Sequence, residues 1–180
     1  MNVVMRQEMS KEEFLAWEQQ QELRWEYDGS QPVAMVGGTR SHSRIQRNVI
    51  IALGNRLRGS PCEVLTSDLQ IEAAGSIRYP DAFVACGGGP GSSRVVLDPI
   101  VVFEVISPST ARTDRIIKNQ EFKATPSIMR YVLLEQDDVV ATVFERAGDD
   151  WVGHMLAADD VLRMPEIGIE APLAEFYDGI

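Results

Sequence analysis

The chain has 180 residues, 44% of them hydrophobic, and a formal charge of −10 at neutral pH. That length and apolar content suffice for one globular domain with a full core, and no stretch approaches the roughly 20 apolar residues of a membrane span. The acidic balance argues against tight non-specific binding to nucleic acid, where phosphate contacts supply most of the affinity.

In chain order, residues 1–9 carry no apolar run resembling a signal peptide and are expected to be a loosely ordered segment. Ser10-Lys11-Glu12-Glu13 reads as a capping box, which predicts a helix through about Arg24, with Trp25-Glu26-Tyr27-Asp28-Gly29 ending it in a turn. Pro32 to Val36 reads as a strand. A second helix opens at Ser41 and presents Ile45, Val49, Leu53 and Leu57 on one face, stopping at Gly59-Ser60-Pro61. Residues 62–65 and 69–72 read as strand segments around Thr66-Ser67-Asp68, and residues 73–76 as the turn into the next strand. Helix is expected again over residues 111–124, then a hairpin of residues 131–134 and 139–144, and an edge strand over 151–156. Cys62 and Cys86 lack metal-site spacing and read as two unpaired, buried small side chains, which fits a reducing cytoplasm.

Two strands organise the chain, Tyr79–Cys86 and Pro99–Ile106, joined by the glycine-rich residues 87–94, which read as hairpin slack. If they pair about that loop, residues whose numbers sum to 185 face each other, and Asp81 lies opposite Glu104. Like charges so close need a shared proton, a nearby cation or a divalent metal, and the metal is the working reading.

Basic residues are unevenly placed. Arg40, Arg44, Arg47, Arg56 and Arg58 lie in a stretch without any Asp or Glu, and Arg112, Arg115, Lys118, Lys123 and Arg130 follow the Glu104 strand. Both sets are read either as solvated helix faces or as phosphate contacts. His42 is a candidate phosphate contact or a helix N-terminal hydrogen-bonding residue. Ser67-Asp68 is a support for Asp81 or a turn, and His154 is structural.

Tyr79-Pro80-Asp81 followed by Phe103-Glu104-Val105 resembles the metal-binding core of the PD-(D/E)xK nuclease superfamily. Further stretches resemble its Uma-type branch of restriction-endonuclease-like proteins: Trp25 to Gly29, Val33-Ala34-Met35 with Gly37-Gly38-Thr39 and His42 to Ile45, Glu104 to Thr110, and Asp114-Arg115 with Lys118. The resemblance implies an α/β fold of the restriction-endonuclease type, a mixed central sheet flanked by helices, forming a single domain over residues 1–180. It implies a Mg²⁺-dependent endonuclease, with Mn²⁺ as a substitute ion, in which Asp81 and Glu104 hold the metal. Glu26 matches the superfamily's glutamate on an N-terminal helix and reaches the metal directly or through water, or else is an exposed helix-end acid. The superfamily's lysine two residues past Glu104 is absent, since Ile106 stands there. The Uma-type branch resembles this chain in supplying a lysine from the following helix, where Lys118 is the match and Lys123 the fallback. Catalytic residues on this reading are Asp81, Glu104, Lys118 and Glu26. His42, Arg44, Arg47 and Arg115 would meet DNA, and the protein would act as a homodimer. The competing reading is a non-catalytic, dimeric binding module descended from the same fold. A glycosidase-like carboxylate pair would need its acids across a cleft rather than on paired strands.

Overall fold

The computed structural model describes residues 8–35, 37–107 and 110–180. Residues 1–7, Val36, Pro108 and Ser109 lie outside them, and with them most of the expected N-terminal segment and the last residue of the first expected strand.

The capping box forms as expected and opens α1 (Lys11–Glu18). This helix stops well short of Arg24. Gln19 to Glu22 offers no apolar side chain to bury, and Gln20 and Gln21 instead fold back to cap the carbonyls of Ala16 and Trp17. The predicted turn at residues 25–29 is therefore corrected at its start: Trp25–Tyr27 is a strand, β1, paired with β2 (Pro32–Ala34). The second helix, α2 (Arg40–Arg56), is capped by the Thr39 side chain and begins one residue before the expected start.

A six-stranded mixed sheet forms the centre. Its members are β3 (Cys62–Thr66), β6 (Ala82–Cys86), β8 (Pro99–Val105), β9 (Arg130–Leu134), β10 (Val140–Ala147) and β11 (Asp150–Ala157), in the order β11-β10-β9-β8-β6-β3. Within it only β8 and β9 run parallel; the helical crossover between them makes this possible. Ala82, Phe83 and Val84 pair with Phe103, Val102 and Val101, the register in which numbers sum to 185, before a bulge at Ala85. The 139–144 hairpin and the β11 edge strand also form as expected.

Alternation along these strands divides the core in two. Ala82, Val84, Val101, Phe103, Val105, Val132 and Leu134 face α2 and the C-terminal turn carrying Phe176. Phe83, Val102, Ile106, Tyr131 and Leu133 face the other way, toward Phe122 and Ile71. That second layer includes a smaller sheet in which β1 and β2 join β4 (Gln70–Ala73), β5 (Ser76–Arg78) and β7 (Val95–Val96). Among the described residues the single expected sheet is thus three, since β12 (Val161–Met164) and β13 (Ile169–Pro172) form a separate pair. The expected strand from Tyr79 divides at Tyr79-Pro80-Asp81, where Pro80 has no amide to give a ladder.

The predicted unpaired cysteines are also corrected. The β3–β6 register sets Cys62 directly opposite Cys86, and the two form a disulfide. Their spacing of 24 residues hides this pairing, because β4 and β5 intervene in the sequence but belong to another sheet. The inference of a reducing compartment from unpaired thiols loses its support. Among the described residues no helix is long and apolar enough to cross a membrane.

Candidate active site

Asp81 leads into β6, and its side chain does a ladder's work where the strand has not yet begun: Oδ2 accepts from the Val105 amide at 2.7 Å. Glu104 lies on the neighbouring strand, on the face shared by Val102 and Ile106, and is buried. Both carboxylates line a cavity of about 210 Å³, together with Glu26, His42, Tyr79, Asp114, Lys118 and the apolar Val33, Ala34 and Met35.

The helical crossover supplies the cation. Residues 113–118 form a π turn, Thr113–Lys118, that runs into α3 (Asn119–Ala124) within the expected helix span. Such turns occur mostly as single interruptions of α-helices and often at functional sites. Asp114 and Lys118 are i,i+4 and both reach the cavity; the Asp114 carbonyl accepts from the buried Tyr131 hydroxyl, which pins the turn to the sheet. Lys118 Nζ lies 2.7 Å from Glu104, 3.2 Å from Glu26 and 3.3 Å from Asp114. Its side chain is 7% exposed, so this is a buried charge in a cage of three acids.

The electrostatics reflect that cage. Burial alone would favour a neutral amine at Lys118, but Glu104, Glu26 and Asp114 outweigh it and hold the ammonium well above its ordinary range. Burial pushes the Glu104 carboxyl well up; Lys118 opposes this, while Asp114, Asp81 and Glu26 add to it. For Glu26, burial is outweighed by Lys118 and Arg78, and the carboxyl stays below its usual range. Three acids thus share one lysine, Glu26 also holding Arg78, while Asp81 pairs with His42.

The structure brings Asp81, Glu104, Lys118 and Glu26 together, and places the other candidates differently. Glu26 sits on β1, not on a helix, and is buried rather than exposed. His42 Nε2 is 2.7 Å from Asp81 Oδ1, so the imidazole is committed to the carboxylate and not presented to solvent phosphate; this hydrogen bond, against the cost of burial, raises its pKa. Arg44 is half-buried on α2. Arg47 bonds Asn48 Oδ1 and lines a different depression, beside Glu175 and Asp178 of the C-terminal turn. Arg115 pairs with Glu135. Lys123 lies over the Phe144 ring at 4.3 Å, away from the acids, which removes it as the fallback to Lys118. Ser67 and Asp68 form a turn held by Arg24, and Ser67 reaches Asp81 only through Gln46, whose amide donates to both Ser67 Oγ and the Asp81 carbonyl. His154 is exposed on β11.

Asp114 is the acid that the sequence reading leaves out of the catalytic candidates. Its signal is the four-residue spacing to Lys118, which places both on one helical face.

A divalent ion fits this donor set by chemistry. Asp81 and Glu104 offer hard carboxylate oxygens at one cavity whose lining holds four carboxylates against the one ammonium of Lys118 and the imidazole of His42, and Mg²⁺ typically takes one or two protein carboxylates and fills its shell with water and phosphate. Among the described residues no three His, Cys, Asp or Glu side chains form a ready-made cage.

The chain matches the model of the Uma2 family, described as putative restriction endonuclease, over residues 11–174. It is 32% identical over 176 residues to an uncharacterized protein of Synechocystis sp. (strain PCC 6803), covering 96% of this chain and 93% of that one. A second uncharacterized Synechocystis protein is 25% identical over 142 residues, 76% and 80% of the two chains. The fold is similar to a crystal structure from Anabaena variabilis described as a putative nuclease, with TM-score 0.76 and 15% identity over 94% of this chain and 97% of that one. With the register, the paired acids and the helix-borne lysine in place, the matched span assigns the family: this chain belongs to the Uma2 family of restriction-endonuclease-like proteins.

Proposed function

We propose that the protein is a metal-dependent endonuclease that hydrolyses DNA phosphodiester bonds, with Mg²⁺ as its ion and Mn²⁺ as a substitute. One observation carries the reading: Asp81 and Glu104 from paired strands and Lys118 from the facing helix converge on one cavity. Asp81 and Glu104 would hold the ion. When bound, it supplies Lewis-acid charge at the phosphate and lowers the pKa of a bound water.

The chain's own groups do the rest. Lys118, caged by three carboxylates, keeps its proton and offers a fixed positive charge beside the reacting oxygens, where a preorganised donor acts in low dielectric. Glu26 and Asp114 hold that ammonium in place. His42 and the Val105 amide each take one Asp81 oxygen and so fix its rotamer. Val33, Ala34 and Met35, themselves exposed, give the cavity an apolar rim. Arg44 and Arg115 are the cations proposed to meet flanking phosphates, and a homodimer would offer one cavity to each strand of a duplex.

The test is nicking of supercoiled DNA with Mg²⁺ or Mn²⁺. Asp81→Asn should abolish cleavage and remove the Mn²⁺ site seen by calorimetry in the wild type. A folded wild type that binds DNA without cutting it in either ion would leave the non-catalytic binding module, and unchanged Mn²⁺ binding by Asp81→Asn would remove the metal assignment.

A further inference from the structure

Among the described residues Arg78 is the largest of the fully buried side chains, at 1% exposure, and the chemistry above does not use it. Its guanidinium is divided between two elements. Nε and Nη2 donate to the two oxygens of Glu121 at 2.8 and 2.6 Å, a bidentate pair, while Nη1 donates to Glu26 Oε2 at 3.1 Å. Ser76 adds a hydrogen bond to Glu121 at 2.9 Å. Glu121 lies on α3, three residues past Lys118. Glu26 lies on β1, and its other oxygen accepts from the Tyr79 amide at 3.1 Å and faces Lys118 Nζ at 3.2 Å. Arg78 itself stands three residues before Asp81. One rigid fork therefore ties together the segment leading to Asp81, the strand bearing Glu26 and the helix bearing Lys118.

That arrangement matters because a lysine is a poor choice for a fixed charge. Its four-carbon stem has many rotamers, and its ammonium is a point charge without directional geometry. What holds Lys118 must be rigid, and two of its carboxylates, Glu104 and Asp114, sit on the sheet and on its own turn. The third, Glu26, stands on a three-residue strand, and its orientation comes from Arg78 and the Tyr79 amide. The planar guanidinium is suited to this role since it can satisfy Glu121 bidentately and still reach Glu26.

We infer that Arg78 is a positioning residue for the site, acting through Glu26 and Glu121 to set where the Lys118 ammonium stands. The inference deepens the nuclease reading and rests on it for the consequence in rate, but its structural part can be tested without any activity.

The chain has three lysines, Lys11, Lys118 and Lys123, so amine labelling mapped by mass spectrometry reports Lys118 with two internal controls. Arg78→Lys keeps a buried cation but cannot hold both acids at once. Glu121→Gln keeps Arg78 paired with Glu26 and leaves no orphaned cation, which guards against a variant that fails to fold. In both, Lys118 should label faster while Lys123 keeps its wild-type rate. Turnover should fall by about tenfold to a hundredfold, the usual cost of removing a group that orients a functional side chain, with KM and Mn²⁺ affinity unchanged. Two results overturn the inference: wild-type Lys118 labelling in both folded variants, or equal acceleration at all three lysines, which would mean general loosening. A wild type that does not cleave DNA would defeat the nuclease reading alone, because the labelling still decides the role of Arg78.

Discussion

Removing the Lys118 ammonium while keeping its bulk is the sharpest perturbation the cage allows. Lys118→Met retains an unbranched apolar stem and deletes only the charge. The partners are buried like the lysine itself at 7%, with Glu104 at 6%, Glu26 at 10% and Asp114 at 2% side-chain exposure. Glu26 keeps Arg78 and the Tyr79 amide, but Glu104 and Asp114 lose their cation. Breaking a buried pair from one side costs about 3–5 kcal/mol, and the same range is expected here at neutral pH. The cost should depend on pH in a definite direction. Without Lys118, burial and like charges raise the folded-state pKa of Glu104 even further above the ordinary 4.5. A raised acid binds its proton more tightly in the folded state, so stability is present below about pH 4.5 and is lost as pH rises toward the folded pKa. Each unit of added shift corresponds to about 1.4 kcal/mol. Urea denaturation of variant and wild type on either side of neutrality should therefore show a deficit that grows with pH. Added Mg²⁺ should return part of it by bringing positive charge back to the acids. A cost below about 1 kcal/mol throughout the range, the level of an exposed pair, would refute the buried cage.

The same contacts lead to other expectations. The Asp81 hydrogen bond raises the His42 pKa above 6.5, so that pairing stabilises the fold fully below that value and loses its contribution as pH rises through the raised folded pKa; His42→Gln should lack this segment of the stability profile, and identical profiles would discard the pairing. A Cβ at Gly38 would come within 2.9 Å of His42 Cγ, which forces the ring to move. Gly38→Ala should thus cost about 1 kcal/mol by denaturation, and combining it with His42→Gln should add little, because both act on one contact. Additive costs would show that Gly38 acts elsewhere. Finally, Ile106→Lys introduced into Lys118→Met should restore part of the lost cleavage, since Ile106 continues the face that carries Glu104. Its folding needs separate confirmation by circular dichroism, and a folded but inactive double variant would refute the equivalence of the two positions.

Much of this architecture is legible in the sequence because it depends on local chemistry. Ser10 and Glu13 specify a helix start whatever residues lie downstream, and the β6–β8 register comes from a hairpin geometry that needs only the loop's centre. The failures lie where a distant partner decides. Trp25 to Tyr27 reads as a helix ending until β2 and β5 are there to pair with it, and Val95–Val96 has too little sequence to announce a strand before β4 provides one. The cysteines belong to the same class, being opposed only after β4 and β5 are assigned to another sheet. Arg78 carries no signal at all: an arginine beside a strand reads as exposed, and its burial depends on two acids that are 52 and 43 residues away.

The displaced lysine shows why a motif can fail by position and still hold by geometry. Ile106 packs in the layer with Phe122, Ile128 and Tyr131, and its amide continues the ladder to Leu134. An ammonium started from that point would cross apolar surroundings, and a charge buried without partners is costly. From the π turn the same charge enters between Glu104, Glu26 and Asp114 and is satisfied on arrival. The site therefore specifies where a positive charge must stand relative to Asp81 and Glu104, and leaves open which element delivers it. A search for the lysine at a fixed offset from Glu104 meets isoleucine. The Asp114–Lys118 spacing on the next helix, facing the same sheet surface, is the signal that survives the move.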